Sequence, residues 1–325
     1  MRPLNRFTLV LLGCVLVACA ATMQSTTQST TTVQPPRPTP AVRTEKLDTQ
    51  VIEARMGSKG TFNEKENVFK VSIPREDVAV TVEGRKLEPF MGLTSWAAFT
   101  PGKCSPCMVM GDLVLFQDEL APAMTAALDN GLAVTALHNH FAFDDPQVFF
   151  MHIGGEGATE DLARGVRATF DRVKAVRAAS AAPLSKDSAR AVPAKSEISA
   201  DKIDAILGAK GQSKDGMYKA VFGREVSMPC DCIAGKEMGV NTWAAFAGNT
   251  ESALVDGDFV TIEGELQPVL KALCKSGIAV VAIHSHMEGE SPRTIFLHYW
   301  SVGRAEDLAR GVRAALDAEN GNSRK

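Results

Sequence analysis

All six histidines of the chain fall into two triplets at one spacing: His138, His140 and His152 become His284, His286 and His298 when 146 is added to each number. Each triplet opens with H-x-H at the end of an apolar run, 132–137 or 278–283, and closes with a histidine inside a second run, 148–153 or 294–299. Residues i and i+2 of a strand share a face, so His138 and His140 can present two imidazoles side by side. His152 joins them if the next strand folds back antiparallel. Three imidazoles on one face suit a divalent metal, zinc first, with copper, iron, manganese or nickel as alternatives, and leave room for water or substrate. Four residues after the second histidine comes a carboxylate in both copies, Asp144 and Glu290. Either is a candidate fourth ligand, an orienter of an imidazole, or a catalytic general base. The competing reading is structural, with the histidines held by hydrogen bonds. A triplet plus an acid, repeated at one offset in a chain with no other histidine, favours metal.

The elements that must position these residues repeat as well. Ser95-Trp96-Ala97-Ala98-Phe99 matches Thr242-Trp243-Ala244-Ala245-Phe246, where the tryptophan reads as a core anchor. A strand at 111–116 or 257–262 leads into a helix at 119–128 or 265–274, with Pro122 or Pro268 in its first turn and Gly131 or Gly277 after its last. The two histidine-bearing strands follow, then a closing helix at 160–173 or 306–316. Upstream, a short helix at 47–56 or 203–207 stops at Gly57 or Gly208, and strands are expected at 68–73, 78–82 and 218–222. Gly154-Gly155-Glu156-Gly157 reads as a turn into the last helix, whose amides could hold an anion. The expectation is therefore an α+β fold of two tandem homologous domains, each a β-rich start followed by a β-α-β-β-α unit, packed as a pseudo-symmetric pair. Repeat domain 1 spans 46–173, a linker 174–198, repeat domain 2 199–320 and a tail 321–325.

Residues 1–19 have the pattern of a lipoprotein signal peptide: Arg2 and Arg6, an apolar run at 7–17, then Leu16-Val17-Ala18-Cys19. Cys19 is the expected lipid-attachment residue, preferred to Cys14, which would cut the apolar run short. Residues 20–45, rich in Thr, Ser, Gln and Pro, read as a disordered tether. The folded part is then exported and lipid-anchored to a bacterial cell envelope, outside the cytoplasm. In that compartment Cys104 and Cys107 (C-x-x-C) and Cys230 and Cys232 (C-x-C) are candidate disulfide cysteines, with redox or soft-metal work as the alternative; Cys274 reads as a buried thiol. A net charge of -3, with no basic tract interleaved with aromatics, argues against nucleic acid as a partner.

H-x-H-x(3)-E resembles the first motif of the cupins, but the helices before and after the histidine strands separate this chain from that nearly all-β fold. A wider resemblance covers almost the whole mature chain. The Trp-Ala-Ala-Phe phrase, Gly-Asp before an apolar strand, Val134-Thr135-Ala136-Leu137-His138-Asn139-His140, the acid before proline, and Phe150-Met151-His152-Ile153-Gly154-Gly155 resemble the LppY/LpqO lipoprotein family. That resemblance implies tandem domains and an envelope location but no activity. Three functions follow: a metal-holding envelope lipoprotein with one site of three histidines plus a carboxylate per repeat; an extracytoplasmic hydrolase or lyase using metal-bound water; and a metal-free binding or scaffolding protein. The membrane, through the N-terminal lipid, and an unidentified small molecule or envelope component are the partners expected.

Overall fold

The computed structural model describes residues 47–184 and 191–322, with side chains as far as Glu319. The signal segment with Cys19, the tether and the last residues of the tail lie outside the described residues. The first repeat runs α1 (Thr49–Met56), β1 (Thr61–Asn63), β2 (Val68–Pro74), β3 (Thr81–Val82), β4 (Arg85–Lys86), β5 (Thr94–Pro101), β6 (Cys107–Phe116), α2 (Leu120–Asp129), β7 (Ala133–His138), β8 (Asp144–Asp145), β9 (Val148–Gly157) and α3 (Thr159–Ala179). The second runs α4 (Ala200–Leu207), β10 (Gln212–Lys214), β11 (Met217–Gly223), β12 (Val226–Ser227), β13 (Ile233–Ala234), β14 (Asn241–Gly248), β15 (Ala253–Ile262), α5 (Leu266–Lys275), β16 (Ala279–His284), β17 (Thr294–Gly303) and α6 (Ala305–Asn322). The expected β-α-β-β-α unit is present in each, as β6-α2-β7-β9-α3 and β15-α5-β16-β17-α6. Local chemistry sets the ends: Asp48 accepts hydrogen bonds from the backbone N–H groups of Gln50 and Val51 to start α1, and Gly57, at φ 64°, stops it.

The main strands form one antiparallel sheet of twelve in the order β1-β2-β5-β6-β9-β7-β16-β17-β15-β14-β11-β10, so corresponding elements succeed each other from either edge to the centre. The repeats meet at β7 and β16, whose register is set by Leu137 opposite Ile283. Pairing there is a single bridge. Beyond it the side-chain amide of Gln267 takes over, accepting from Val134 N at 3.0 Å and donating to Val134 O at 2.8 Å. One face of the sheet meets the helices. Leu113, Leu115, Met151 and Ile153 pack with Ala123, Ala127 and Val166, and Phe259, Leu297 and Tyr299 with Val269, Leu273 and Val312, in a core continuous through both repeats. The other face is partly open. Small apolar clusters on it sit beneath the β4-β3-β8 sheet (Val80, Leu87, Val114, Phe116, Phe150) and the β12-β13 ribbon (Val226, Val240, Val260, Phe296).

Several boundaries differ from expectation, among them α6, which runs to Asn322 and into the expected tail. α3 continues to Ala179, into the expected linker, because its buried positions continue from Phe170 through Val173 to Arg177. Only Thr81 and Val82 of the expected 78–82 strand pair. The glycines at 154, 155 and 157 extend β9 rather than forming an anion-holding turn; a Cβ on Gly155 would come within 3.1 Å of Leu162.

α2 is tied to the sheet by a buried ion network. Glu119, fully buried, accepts from Arg75 at 2.8 and 3.0 Å and from Phe116 N at 2.9 Å, while Arg177 of α3 pairs with Asp118 and Glu119. The second repeat keeps the pattern, with Arg224 between Glu265 and Glu319. Removing one partner of such a pair strands a buried charge. Glu119→Ala should therefore lower unfolding free energy by about 3–5 kcal/mol in urea melts, whereas Arg164→Ala, which breaks an exposed pair with Asp161, should change it by less than about 1 kcal/mol. Equal, small effects would contradict this account.

Candidate metal centre

Strand register builds the site on the open face of the sheet. On β9, His152 lies opposite Asp112 of β6 on one side and Ala136 of β7 on the other. On β17, His298 lies likewise between Asp258 of β15 and Ala282 of β16. A register shift between Val134 and Ala136, repeated between Val280 and Ala282, lets Val134 face the helices while Ala136 and His138 face outward. β7 ends at His138, so His140 belongs to the loop. Its ring is placed by stacking on Phe150, centroids 3.6 Å apart, as His286 is placed on Phe296 at 3.5 Å.

In each triplet the rings lie side by side, and among the described residues the ligand atoms of three groups come together only in the second repeat, at Asp258, His284 and His286. In the first repeat His138 Nε2 and His152 Nε2 are 2.9 Å apart, and the His138 and His140 rings are parallel at 5.2 Å. In the second, His284 Nε2 and His286 Nε2 are 3.1 Å apart, the His284 and His298 rings stack at 4.6 Å, and His286 Nε2 lies 3.5 Å from Asp258 Oδ2. Asp258, His284 and His286 offer ligand atoms within 4.8 Å of one another and could hold a metal ion. Two nitrogens bound to a tetrahedral zinc at 2.0–2.1 Å would be about 3.3 Å apart, so a few tenths of an ångström of opening would admit the ion. Asp112 Oδ1, Asp258 Oδ1 and His284 Nδ1 are buried without a hydrogen-bond partner.

Electrostatics favour the metal-binding state of the imidazoles, whereas burial works against ionisation of the two aspartates. Burial pushes Asp112 and Asp258 up, while the facing histidines, His152 first for Asp112 and His298 first for Asp258, pull them back. Burial is also the leading reason that His140 and His286 are held below the usual imidazole value, and that His284 is pushed down to about 4. These three rings are therefore neutral at neutral pH, the state in which an imidazole nitrogen can bind a metal.

The acids singled out in the sequence are elsewhere. Asp144 accepts from Val148 N at 2.7 Å, and Glu290 accepts from Thr294 N at 2.8 Å and Thr294 Oγ1 at 2.9 Å; each staples the proline turn that begins the next strand. Although burial opposes it, the Thr294 hydrogen bonds hold the Glu290 carboxyl below its usual range. The carboxylates facing the imidazoles are Asp112 and Asp258, whose signal in the sequence is a charged residue interrupting an apolar strand at the same 146 offset. Trp96 and Trp243 are not core anchors: both are half-buried on the open face, opposite Asp112 and Asp258. Trp243, Asp258 and His286 line a cleft of about 550 Å³ together with Lys219, Lys236 and Asn241.

The cysteines divide. Cys230 and Cys232 are disulfide-bonded between β12 and β13. Cys104 and Cys107 are not, because Cys107 opens β6 with its side chain in the helix-covered core while Cys104 is exposed in the loop before it. Cys274 is a partly buried free thiol, pushed up to about 11 by burial, and burial raises Cys107 too.

A family model described as Domain of Unknown Function (DUF1259) matches residues 50–172 and again 201–318. No curated protein matches the chain. Among solved structures, similarity is found to the trimeric bacterial microcompartment shell protein PduB, at 12% identity over 80% of this chain and 89% of that one, with a TM-score of 0.21. EtuB from Clostridium kluyveri is 10% identical over 81% of this chain and 91% of that one, also with a TM-score of 0.21. TM-scores of that size carry no argument about this chain.

The free and bonded cysteines make a direct check. In a chain beginning at residue 46, a thiol reagent should label Cys104 rapidly in the native state, Cys274 slowly, Cys107 only on unfolding, and Cys230 and Cys232 only after reduction. A peptide linked through Cys104 and Cys107 in the mass spectrum would contradict the structure.

Proposed function

The chain belongs to the family described as Domain of Unknown Function (DUF1259), matched by two tandem copies, and we propose that it is a cell-envelope lipoprotein in which each of the two repeats holds one divalent metal ion. His138, His140, His152 and Asp112 form one ligand set; His284, His286, His298 and Asp258 form the other. The observation that carries this reading is an aspartate set opposite a histidine in both copies with one carboxylate oxygen buried and unpartnered, Asp112 Oδ1 and Asp258 Oδ1, while the other oxygen of Asp258 lies 3.5 Å from His286 Nε2. Leaving a buried acceptor unsatisfied costs about 1–3 kcal/mol, more when it is charged. A cation removes that penalty, whereas the contacts between imidazoles leave it in place. Three nitrogens and one oxygen suit zinc first, with copper, iron, manganese or nickel as alternatives. Lipid at Cys19 would anchor the protein outside the cytoplasm, as in the LppY/LpqO lipoproteins it resembles. The mirrored strand order supports packing of the two repeats as a pseudo-symmetric pair.

A second reading, metal-dependent hydrolysis or elimination on a small extracytoplasmic molecule, is favoured by the cleft that opens beside Asp258 and His286. In it Asp144 and Glu290 serve the turns rather than proton transfer, since one oxygen of each is engaged by the following strand.

Elemental analysis of the purified full chain, after reconstitution and desalting, tests the metal reading. The wild type should retain about two ions per chain, and His138→Ala/His140→Ala or His284→Ala/His286→Ala about one each. A chain that retains none of zinc, copper, iron, manganese or nickel, or variants that retain as much as the wild type, would overturn it.

A further inference from the structure

One strand outward of each tryptophan, a lysine reaches over the indole. Lys70 Nζ of β2 lies 4.2 Å from the Trp96 ring centroid, and Lys219 Nζ of β11 lies 3.9 Å from that of Trp243. Register continues the line inward. Trp96 is opposite Asp112 and Asp112 opposite His152; Trp243 is opposite Asp258 and Asp258 opposite His298. Ammonium, indole, carboxylate and imidazole thus follow one another across four neighbouring strands, twice. The offset between copies falls from 149 at the lysine to 147 at the tryptophan and 146 at the aspartate, so the intervening chain differs in length while the contact is kept. Neither lysine makes an ion pair among the described residues; an ammonium over an aromatic face is held in place with its charge unneutralised.

In the second repeat this line forms the floor and wall of the cleft of about 550 Å³, within the size of ordinary small-molecule sites. Lys210, Lys219 and Lys236 line it against Glu237 and Asp258. With a divalent ion on Asp258 and the imidazoles, the net charge of the lining is positive, and a ligand of opposite sign is favoured. An oxyanion entering this cleft meets both charges, since Lys219, Asp258 and His286 line it together.

We propose that each metal centre and the lysine held over the neighbouring tryptophan form a two-point seat for an oxyanion, so that the ligand is a small molecule bearing a carboxylate or phosphate group. The inference rests on the metal reading above. The test is calorimetric titration of the full chain, with and without zinc, using inorganic phosphate in one arm and acetate in the other, alongside separate measurement of metal content. Binding in one arm only identifies the group recognised, and binding in both supports a general oxyanion seat. In the Lys70→Gln/Lys219→Gln variant the affinity should fall at least tenfold with zinc content unchanged, and Lys70→Arg/Lys219→Arg should restore most of it. Equal affinity in wild type and glutamine variant, or no binding of either anion to zinc-loaded chain, would overturn the proposal. If the chain holds no metal, the metal reading fails by itself. Lysine-dependent anion binding by that metal-free chain would then retain the seat as a purely cationic one, and its absence would overturn the seat as well.

Discussion

The pairing that sets Asp112 opposite His152 and Asp258 opposite His298 is the constraint on which the rest depends. Side chains alternate strictly along a strand, so a slip of one residue in β6 would bring Asp112 into the helix-covered core and turn Val109, Leu113 and Leu115 out to water. Each exposed side chain of that size would lose about 1.5–3 kcal/mol. The core therefore enforces the register, and the register assembles the donors. The bulges before Ala136 and Ala282 settle a conflict within the same strands: Val134 is needed in the core and His138 on the opposite face, and one extra residue between them satisfies both.

Rigidity comes from the layer behind. Glu119 and Glu265 each join the end of a site-bearing strand to the start of a helix, accepting from the strand backbone at Phe116 or Ile262 while paired to Arg75 or Arg224. At the centre, the two copies are joined by one bridge and by the Gln267 amide on Val134. Gln267 has Ala121 as its counterpart, so this part of the seam is asymmetric. The sites themselves differ in detail: Nε2 atoms meet between His138 and His152 in one repeat and between His284 and His286 in the other.

Much of this arrangement was legible in the residues. The 146 offset exposed the repeat, proline and glycine marked the helix ends, and strand periodicity let His152 join His138 on condition of an antiparallel return, which β9 makes beside β7. The acid was not. Asp144 and Glu290 had the right spacing from the histidines, but a carboxylate four residues before a strand can also cap its first amide, and that local hydrogen bond prevailed. Asp112 and Asp258 were hidden because a charge inside an apolar strand identifies its partner only once the neighbouring strands are known. Trp96 and Trp243 misled for the same reason: their phrases alternate, and which face meets the helices is a property of the whole sheet. The union of both repeats in one sheet depends on β7 and β16, whose pairing across 146 residues leaves no local signal.

An anomalous-difference map from crystals of the zinc-reconstituted full chain, collected at the zinc edge, addresses the central claim most directly. The account predicts one peak at each histidine triplet, about 2.0–2.1 Å from imidazole nitrogens and in contact with Asp112 or Asp258. Peaks confined to other surfaces, or a map without a peak at either triplet while the six imidazoles remain ordered, would contradict it.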